Sequence, residues 1–317
     1  MFNFIRLVQN ENMKIFRRVG TWVMIGLLLL ATVVSGLVFN NIYGDQEKDQ
    51  WKEDLQKQIQ QDQKMLQNDA LAPNIRKQVE EEIKIKQYRI DHSIAPDKET
   101  LWGFIYDSVY LSSLIILFTI IVGGTSVAGE FSWGTIKLLL IRSASRSKIL
   151  LSKYLSTLLF ALAMLGCLFL FSMLVGSVFF GVSGWDSPHL MVEDGNVIEK
   201  NRILHIFGMY GLQSVDLLMM VTFAFMISTV FRSSSLAIGL AIFLMFSGNT
   251  VVSFLAIQKV EWVKYTLFAN TNLSLYLEGA PLMEGMTLSF SITVLAVYFV
   301  IFNIISWIVF NKRDVAA

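Results

Sequence analysis

The sequence predicts an all-α membrane protein with six transmembrane helices, an amphipathic helix between helices 2 and 3, and a helical hairpin between helices 1 and 2. Of the 317 residues, 54% are hydrophobic and only 16% are charged, whereas soluble domains carry about 25% charged residues. The charged residues also cluster, which leaves long apolar tracts of the length needed to cross a bilayer. The net charge of +1 gives no basic field for nucleic acid.

Six tracts are apolar and long enough to span hydrocarbon, which takes about 20 residues. They are Val19–Tyr43, Gly103–Ala128, Ile149–Gly181, Ile203–Val230, Leu236–Ile257 and Thr287–Phe310. The first tract follows two arginines, as a signal peptide would, but it is too long for a cleaved apolar region of about 7–15 residues. We therefore interpret it as a retained transmembrane helix.

The positions of lysine and arginine predict the orientation of the chain. Basic residues concentrate in the N-terminal segment 1–18, in the connection 129–148, in the short turn after the fourth tract and in the C-terminal segment 311–317. With six spans, the two terminal segments and the connections after the second and fourth tracts all lie on one side of the membrane. An odd number of spans would put the two termini on opposite sides. The pattern therefore supports six spans and predicts that both termini are cytoplasmic.

The segment 44–102 between the first two tracts is polar, and its basic and acidic side chains are interleaved. Apolar residues recur in it at helical spacing, as in Leu55 and Ile59 and in Val79 and Ile83, with Pro73 between the two series. This pattern predicts an extracellular helical hairpin with narrow apolar seams. Its role is open between a substrate gate or dimer contact and a solvated stalk.

The connection 258–286 mixes aromatic residues with scattered charges, including Trp262 and Tyr265. Aromatic side chains favour the membrane interface. We expect short helices that lie in or dip into the outer leaflet.

No stretch of the sequence carries a recognisable catalytic motif. The phosphate-binding pattern G-x-x-x-x-G-K-[ST] is absent, so we expect that this chain does not hydrolyse ATP unaided. The single cysteine, Cys167, excludes a disulfide within the chain and a cysteine-based zinc site, and the three histidines are scattered. We expect no metal, no cofactor in this chain and no enzymatic activity of its own.

An acidic residue, Asp216, lies near the middle of the fourth tract. An ionisable side chain inside the membrane is a candidate functional site because its burial is costly. The candidate roles are a substrate or proton path and a structural hydrogen bond with neighbours such as Gln213 or Ser214.

The connection 129–148 is too apolar for a solvated loop and too basic for lipid. Phe131, Trp133 and Ile136 are apolar, and they are followed by four basic residues, namely Lys137, Arg142, Arg146 and Lys148. A helix lying at the cytoplasmic surface satisfies both demands.

The order of residues in this stretch, "EFSWGTIKLLLIRSASRSKILLSK", resembles the signature of ABC-2 type permeases, the membrane subunits of one family of ATP-binding-cassette transporters. The matching positions are Glu130, Gly134, Thr135, Leu138, Leu139, Ser145, Arg146, Lys148 and Lys153. The proline usual in that signature is missing, and Ser143 and Ala144 stand in its place. The six-span plan and the aromatic connection before the last span extend the resemblance along most of the chain.

The resemblance implies that 129–148 is a coupling helix that docks on a separate ATPase subunit, which would bind ATP and Mg²⁺. The residues implied in this coupling are Glu130, Phe131, Gly134, Thr135, Lys137, Arg142, Arg146 and Lys148. Glu130 would pair with a basic residue of the partner or cap the helix, and the basic residues would face acidic protein or anionic lipid heads.

The resemblance further implies an exporter in a bacterial plasma membrane, built as a homodimer or as a heterodimer with a related permease. Its substrate would be a drug, a peptide, a lipid or a similar molecule. Two alternatives stay open: an ATP-independent secondary transporter that uses Asp216, and a membrane scaffold or sensor whose hairpin binds a ligand.

Overall fold

The computed structural model describes residues 2–43, 51–67, 73–96, 100–137, 144–182, 184–185, 187–193, 195–278, 281–283 and 285–312. Its α-helices are α1 (Phe2–Phe16), α2 (Val19–Tyr43), α3 (Trp51–Leu66), α4 (Pro73–Asp91), α5 (Leu101–Ser108), α6 (Ser112–Ser126), α7 (Ala128–Ser132), α8 (Arg146–Phe180), α9 (Arg202–Val230), α10 (Ser234–Ile257), α11 (Leu267–Asn270) and α12 (Leu288–Lys312). The described residues also form two strands, β1 (His189–Glu193) and β2 (Asn196–Lys200), and short 3₁₀ turns.

Six helical stretches in the described chain are long and apolar enough to cross a membrane, and they confirm the predicted spans. Span 1 is α2, span 2 is α5 with α6, span 3 is α8, span 4 is α9, span 5 is α10 and span 6 is α12. Span 2 is interrupted by a 3₁₀ turn at Val109–Leu111. Next to this turn, the Ser108 hydroxyl donates to the carbonyl of Phe104 at 2.7 Å, a bond that often bends helices.

Span 4 lies at the centre of the bundle, where it packs against spans 2, 3, 5 and 6. In its most apolar window 67% of the residues are buried, against 17% in spans 1, 5 and 6. The outer three spans therefore present apolar surface that lipid or a partner chain must cover, because exposed apolar area of this extent is unfavourable in water.

Span 5 packs closely on the connection that precedes span 6. A Cβ atom added at Gly248 would lie 2.3 Å from the ring of Phe268, whereas one added at Gly239, on the same helix, would meet nothing within 4 Å. The absence of a side chain at Gly248 thus permits the ring to reach the helix backbone.

We expect Gly248→Ala to destabilise the protein by about 1–3 kcal/mol, because the Phe268 ring must shift to admit the methyl group. Gly239→Ala is the matched control, and it should be neutral or slightly stabilising because alanine favours a helix over glycine. Thermal unfolding of both variants in the same detergent measures the difference. Equal melting temperatures for the two variants would contradict this packing.

The connection 258–286 forms short helical turns rather than long helices. Its 3₁₀ turns, Glu261–Tyr265 and Leu273–Tyr276, flank α11. The Asn270 amide group donates to the carbonyls of Lys264 and Thr266, both at 2.8 Å, and its carbonyl oxygen accepts from Ser291 of span 6 at 2.7 Å. These bonds fix the connection on span 6.

The insertion between spans 1 and 2 contains two helices, α3 and α4, that pack against each other. Leu55, Ile59 and Val79 are buried between them, and Lys86 of α4 forms an ion pair with Asp62 of α3 at 2.6 Å. The apolar seam is narrow, as the spacing of apolar residues predicts.

A β-hairpin between spans 3 and 4 departs from the predicted all-α fold, although the chain is mainly helical. β1 and β2 pair antiparallel, from His189 opposite Lys200 to Glu193 opposite Asn196. Gly195, in the turn, has a φ of +82°, which favours glycine. The hairpin is bonded to the helices α3 and α4 through α4, because Lys84 of α4 donates to the carbonyl of Gly195 at 3.1 Å.

Candidate functional site

The connection between spans 2 and 3 is not one helix over 129–148, as the sequence analysis expected. In the structure α7 ends at Ser132, and the chain turns at Gly134, whose φ is +71°. Arg146 and Lys148 belong to the first turn of span 3 instead. Residues 127–145 are called the connecting segment below, of which 138–143, including Arg142, lie outside the described residues.

Glu130 of the connecting segment is part of a closed ring of alternating charges. The Lys153 ammonium, on span 3, lies 2.7 Å from the Glu130 carboxylate and 2.8 Å from that of Glu11 on α1. The Lys14 ammonium, also on α1, lies 2.7 Å from Glu11 and 3.4 Å from Glu130. We call Glu11, Lys14, Glu130 and Lys153 the charged cluster, and it joins three separate elements of the chain.

Three of the four side chains of the charged cluster are largely removed from solvent, whereas that of Lys14 is 42% exposed. The side chain of Lys153 is 3% exposed and that of Glu130 is 10% exposed. Burial raises the pKa of the Glu130 carboxyl, but the charge of Lys153 and hydrogen bonds from Lys153 and Thr135 outweigh burial and lower that pKa to about 2. The pKa of Glu11 is also lowered, since Lys153 and Lys14 outweigh its burial. Both carboxylates are therefore charged at neutral pH.

These contacts bear on one expectation from the sequence. Glu130 pairs with bases of its own chain, so a basic residue of a partner is not needed for it. Lys153, a matching position of the resemblance, is also buried against acids of its own chain.

The start of the connecting segment is fixed to span 4 by one hydroxyl group. Ser228 is fully buried, and its oxygen accepts from the backbone N–H groups of Val127 and Ala128, at 3.1 and 2.9 Å. The same hydroxyl donates to the carbonyl of Gly124 at 2.8 Å. Ser228 thus supplies partners to backbone groups at the break between α6 and α7, where the helical ladder is interrupted.

Two further contacts surround α7. The Ser132 hydroxyl donates to the carbonyl of Arg232, in the turn between spans 4 and 5, at 3.3 Å and accepts from the N–H of Ser234 at 3.1 Å. The Arg18 guanidinium lies 4.9 Å from the centre of the Trp133 ring, within the range of a cation–π contact. The indole is otherwise open, with 56% of the residue exposed.

The other residues of the predicted coupling set divide between packing and surface. Phe131 is half-buried beside the apolar cluster around Val127 and Ile149. The Thr135 hydroxyl donates to the Glu130 carboxylate. Lys137 and Lys148 are exposed. The Arg146 guanidinium donates to the carbonyl of Asn311 in span 6 at 3.1 Å, which ties the start of span 3 to the C-terminal helix.

Asp216 lies far along the chain from these groups, in span 4. Its carboxylate accepts a hydrogen bond from the Gln213 side-chain amide at 3.3 Å, one of the neighbours expected from the sequence. Within the described part of the chain, Asp216 takes part in no ion pair.

Sequence reasoning missed α1, β1–β2 and the role of Ser228. The apolar residues Phe4, Leu7, Val8 and Ile15 of α1 recur at helical spacing, and this signal predicts an amphipathic helix. The Asp-Gly pair at 194–195 between short apolar runs is a hairpin signal. Nothing in the sequence distinguishes Ser228 from the other serines of the spans.

Comparison with known proteins finds one matching family and two relatives. A family model described as "Protein of unknown function (DUF2705)" matches residues 80–316. The chain is 45% identical over 315 residues to "Uncharacterized protein YhcI" of Bacillus subtilis (strain 168), covering 98% of this chain and 99% of the relative. It is 29% identical over 218 residues to "Uncharacterized membrane protein YdbK" of the same organism, covering 68% of this chain and 84% of that relative. With its six apolar helices, the chain is a multi-pass membrane protein.

Proposed function

We propose that this chain, which belongs to the family described as "Protein of unknown function (DUF2705)", is the membrane subunit of an ABC-2 type exporter. The connecting segment would dock on a separate ATPase subunit at the cytoplasmic face. Both termini would be cytoplasmic, and the insertion with α3 and α4 would lie outside the cell. The membrane would be a bacterial plasma membrane.

One observation carries the proposal: the connecting segment is bonded to α1, to spans 3 and 4 and to the turn between spans 4 and 5. Glu130 joins it to α1 and span 3 through the charged cluster. Ser228 joins it to span 4, and Ser132 joins it to the turn between spans 4 and 5. A force on this short segment is therefore passed to at least three spans, because buried ion pairs and hydrogen bonds resist separation.

The surface that remains available fits a partner with acidic side chains. Trp133 and Lys137 of the segment and Lys148 beside it are exposed. Tryptophan is among the residues that often contribute most to binding in protein interfaces, and the two lysines would attract acidic side chains of a partner. Glu130 serves a different role in this scheme, since it anchors the segment from within.

The ATPase would supply the chemistry that this chain lacks. ATP and Mg²⁺ would be held by the partner's phosphate-binding loop, and its closure on ATP would push the connecting segments of two permease chains. This chain would act as a homodimer or with a related permease, and the apolar faces of spans 1, 5 and 6 leave room for such a partner. The substrate class expected is a drug, a peptide, a lipid or a similar molecule.

The first test is a tagged pull-down from native membranes in mild detergent, with ATP hydrolysis measured on the isolated material. We expect a chain with a phosphate-binding loop to copurify. Lys137→Glu combined with Trp133→Ala should reduce its recovery at least about tenfold, the loss expected when a residue important for binding is removed.

Lys64→Glu is the matched control, because it reverses an exposed lysine of α3 without touching the connecting segment. Its recovery of the ATPase should equal that of the wild type. If the wild-type protein is isolated alone and has no ATP hydrolysis, or if both variants lose the partner equally, the docking proposal is wrong.

A second candidate function is transport without ATP, in which Asp216 binds a proton or cation. The observation that favours it is a carboxylate within span 4 that accepts from Gln213 and has no ion pair in the described structure. Asp216→Asn would then abolish transport while leaving any ATPase association unchanged. A scaffold or sensor function would instead require a ligand that binds α3 and α4 in the absence of an ATPase.

A further inference from the structure

Two histidine rings stack face to face between the β-hairpin and span 4. The ring centres of His189, on β1, and His205, on α9, lie 3.7 Å apart with an angle of 15° between the planes. His205 is buried, and its Nε2 atom has no hydrogen-bond partner in the described structure. The Tyr106 ring of span 2 lies 6.0 Å from His189 and 5.8 Å from His205.

The charged groups around this pair are mostly basic. Lys200 comes from β2, Arg202 from the start of α9 and Arg89 from α4, and all three act on His189 through their charge. One acidic residue, Glu278, also lies nearby. It accepts a hydrogen bond from the Tyr106 hydroxyl at 2.7 Å and thus already has a partner.

The two strands and span 2 carry three other acids among the described residues. Glu193 pairs with Lys200 at 3.3 Å, and Glu199 accepts from the Tyr88 hydroxyl of α4 at 3.1 Å. Asp107 follows Tyr106 on span 2 and has partners of its own. Positive charge on the stacked rings would therefore be repelled by the bases nearby. The acids nearby already have hydrogen-bond or ion-pair partners.

We propose that the His189–His205 pair is a pH-sensitive latch that holds the β-hairpin on the transmembrane bundle at neutral pH and releases it at acidic pH. The physical reason is that a charged His189 ring would lose its hydration in this site and would then be repelled by His205 and the basic groups around it. The insertion would move with the hairpin, because α4 is bonded to it through Lys84 and Tyr88. The latch acts independently of the docking surface proposed above.

The sign of the pH effect follows from the histidine on the hairpin. Burial, and then the charges of His205, Arg202, Arg89 and Lys200, lower the pKa of His189 from 6.5 to about 3. A group with a lowered pKa stabilises the closed state fully above its free value and loses that contribution as the pH falls. Between pH 6.5 and 3, His189 alone shifts the closed-to-open ratio about tenfold per pH unit toward the open state.

Amide hydrogen exchange of the full chain in lipid nanodiscs, between pH 7.5 and 5.0, tests the latch. After correction for the intrinsic pH dependence of exchange, the protection of residues 189–200 should fall at least about tenfold per pH unit below pH 6.5. The loss should reverse when the pH is restored. In the double variant His189→Phe/His205→Phe the rings remain but cannot be charged, so protection should stay constant.

His92→Phe is the matched control, because His92 is a stacked histidine outside the latch, 3.9 Å from the Tyr88 ring on α4. This variant should behave like the wild type. Protection that is constant in the wild type, or that falls as steeply in the double variant, would overturn the proposal.

A measurement on the wild type alone guards against a double variant that does not fold. Deuterium exchange at the imidazole C2 position, followed by mass spectrometry, reports the titration of His189. Its charging should coincide with the loss of protection of the hairpin. If His189 charges while the hairpin stays protected, or the hairpin opens while His189 stays neutral, the latch is refuted.

Discussion

Lys153→Met is expected to destabilise the protein by about 3–5 kcal/mol, the cost typical of removing one partner from a buried ion pair. The substitution leaves the Glu130 and Glu11 carboxylates buried with Lys14 as their one remaining base in the charged cluster. Thermal unfolding in detergent at pH 7.5 measures the loss. Lys148→Met, at an exposed lysine five residues earlier on the same helix, is the control and should change the melting temperature little.

The loss should also depend on pH in a defined direction. The pKa of Glu130 is lowered from 4.5 to about 2, so its pairing stabilises the wild type fully above pH 4.5 and is lost as the pH falls through 2. The melting temperatures of wild type and Lys153→Met should therefore converge below about pH 4.5. A difference that stays constant from pH 7.5 to pH 3 would show that Lys153 acts through packing alone.

Ser228→Ala is the second substitution with a large expected effect. It removes the acceptor of two buried N–H groups, those of Val127 and Ala128. Each unsatisfied buried group costs about 1–3 kcal/mol, so we expect a loss of about 2–6 kcal/mol in total. Amide exchange at these two residues should rise, and the melting temperature should fall.

The control for this variant is Ser306→Ala in span 6. Ser306 is also buried, but its hydroxyl donates only to the carbonyl of Phe302 one turn earlier, so its loss leaves no N–H group unsatisfied. Its effect should stay below about 1 kcal/mol. Equal losses for the two serines would mean that Ser228 does not hold the break between α6 and α7.

The spans could be predicted from sequence because each is set by a local property, an apolar tract of sufficient length. Spans 1 and 4 match their predicted bounds within one residue. Span 3 begins three residues earlier than Ile149, because the polar residues Arg146 to Lys148 form the first turn of its helix. The prediction left these residues out of the span because they are polar or charged. Polar and charged residues can still be helical where the helix extends beyond the hydrocarbon.

The charged cluster could not be predicted, because its partners are brought together only by the tertiary fold. Glu11 and Lys153 are separated by 142 positions, and no local pattern relates them. The sequence placed Glu130 and Lys153 in one motif but gave no sign that they face each other. The docking role of the connecting segment stays a prediction that rests on resemblance and on the contacts around it.

The helix of span 3 has a consequence that reaches beyond its own packing. At 35 residues and 1.5 Å per residue, α8 is about 52 Å long, well above a hydrocarbon thickness of about 30 Å. It carries Lys153 near one end, and near the other end the Phe180 ring lies 5.5 Å from that of Phe104 in span 2. A rod of this length must tilt or project from the lipid. A change in bilayer thickness would thus change the tilt of α8 and move both of its ends together. Lipid composition would therefore alter the positions of residues on both faces of the protein at the same time.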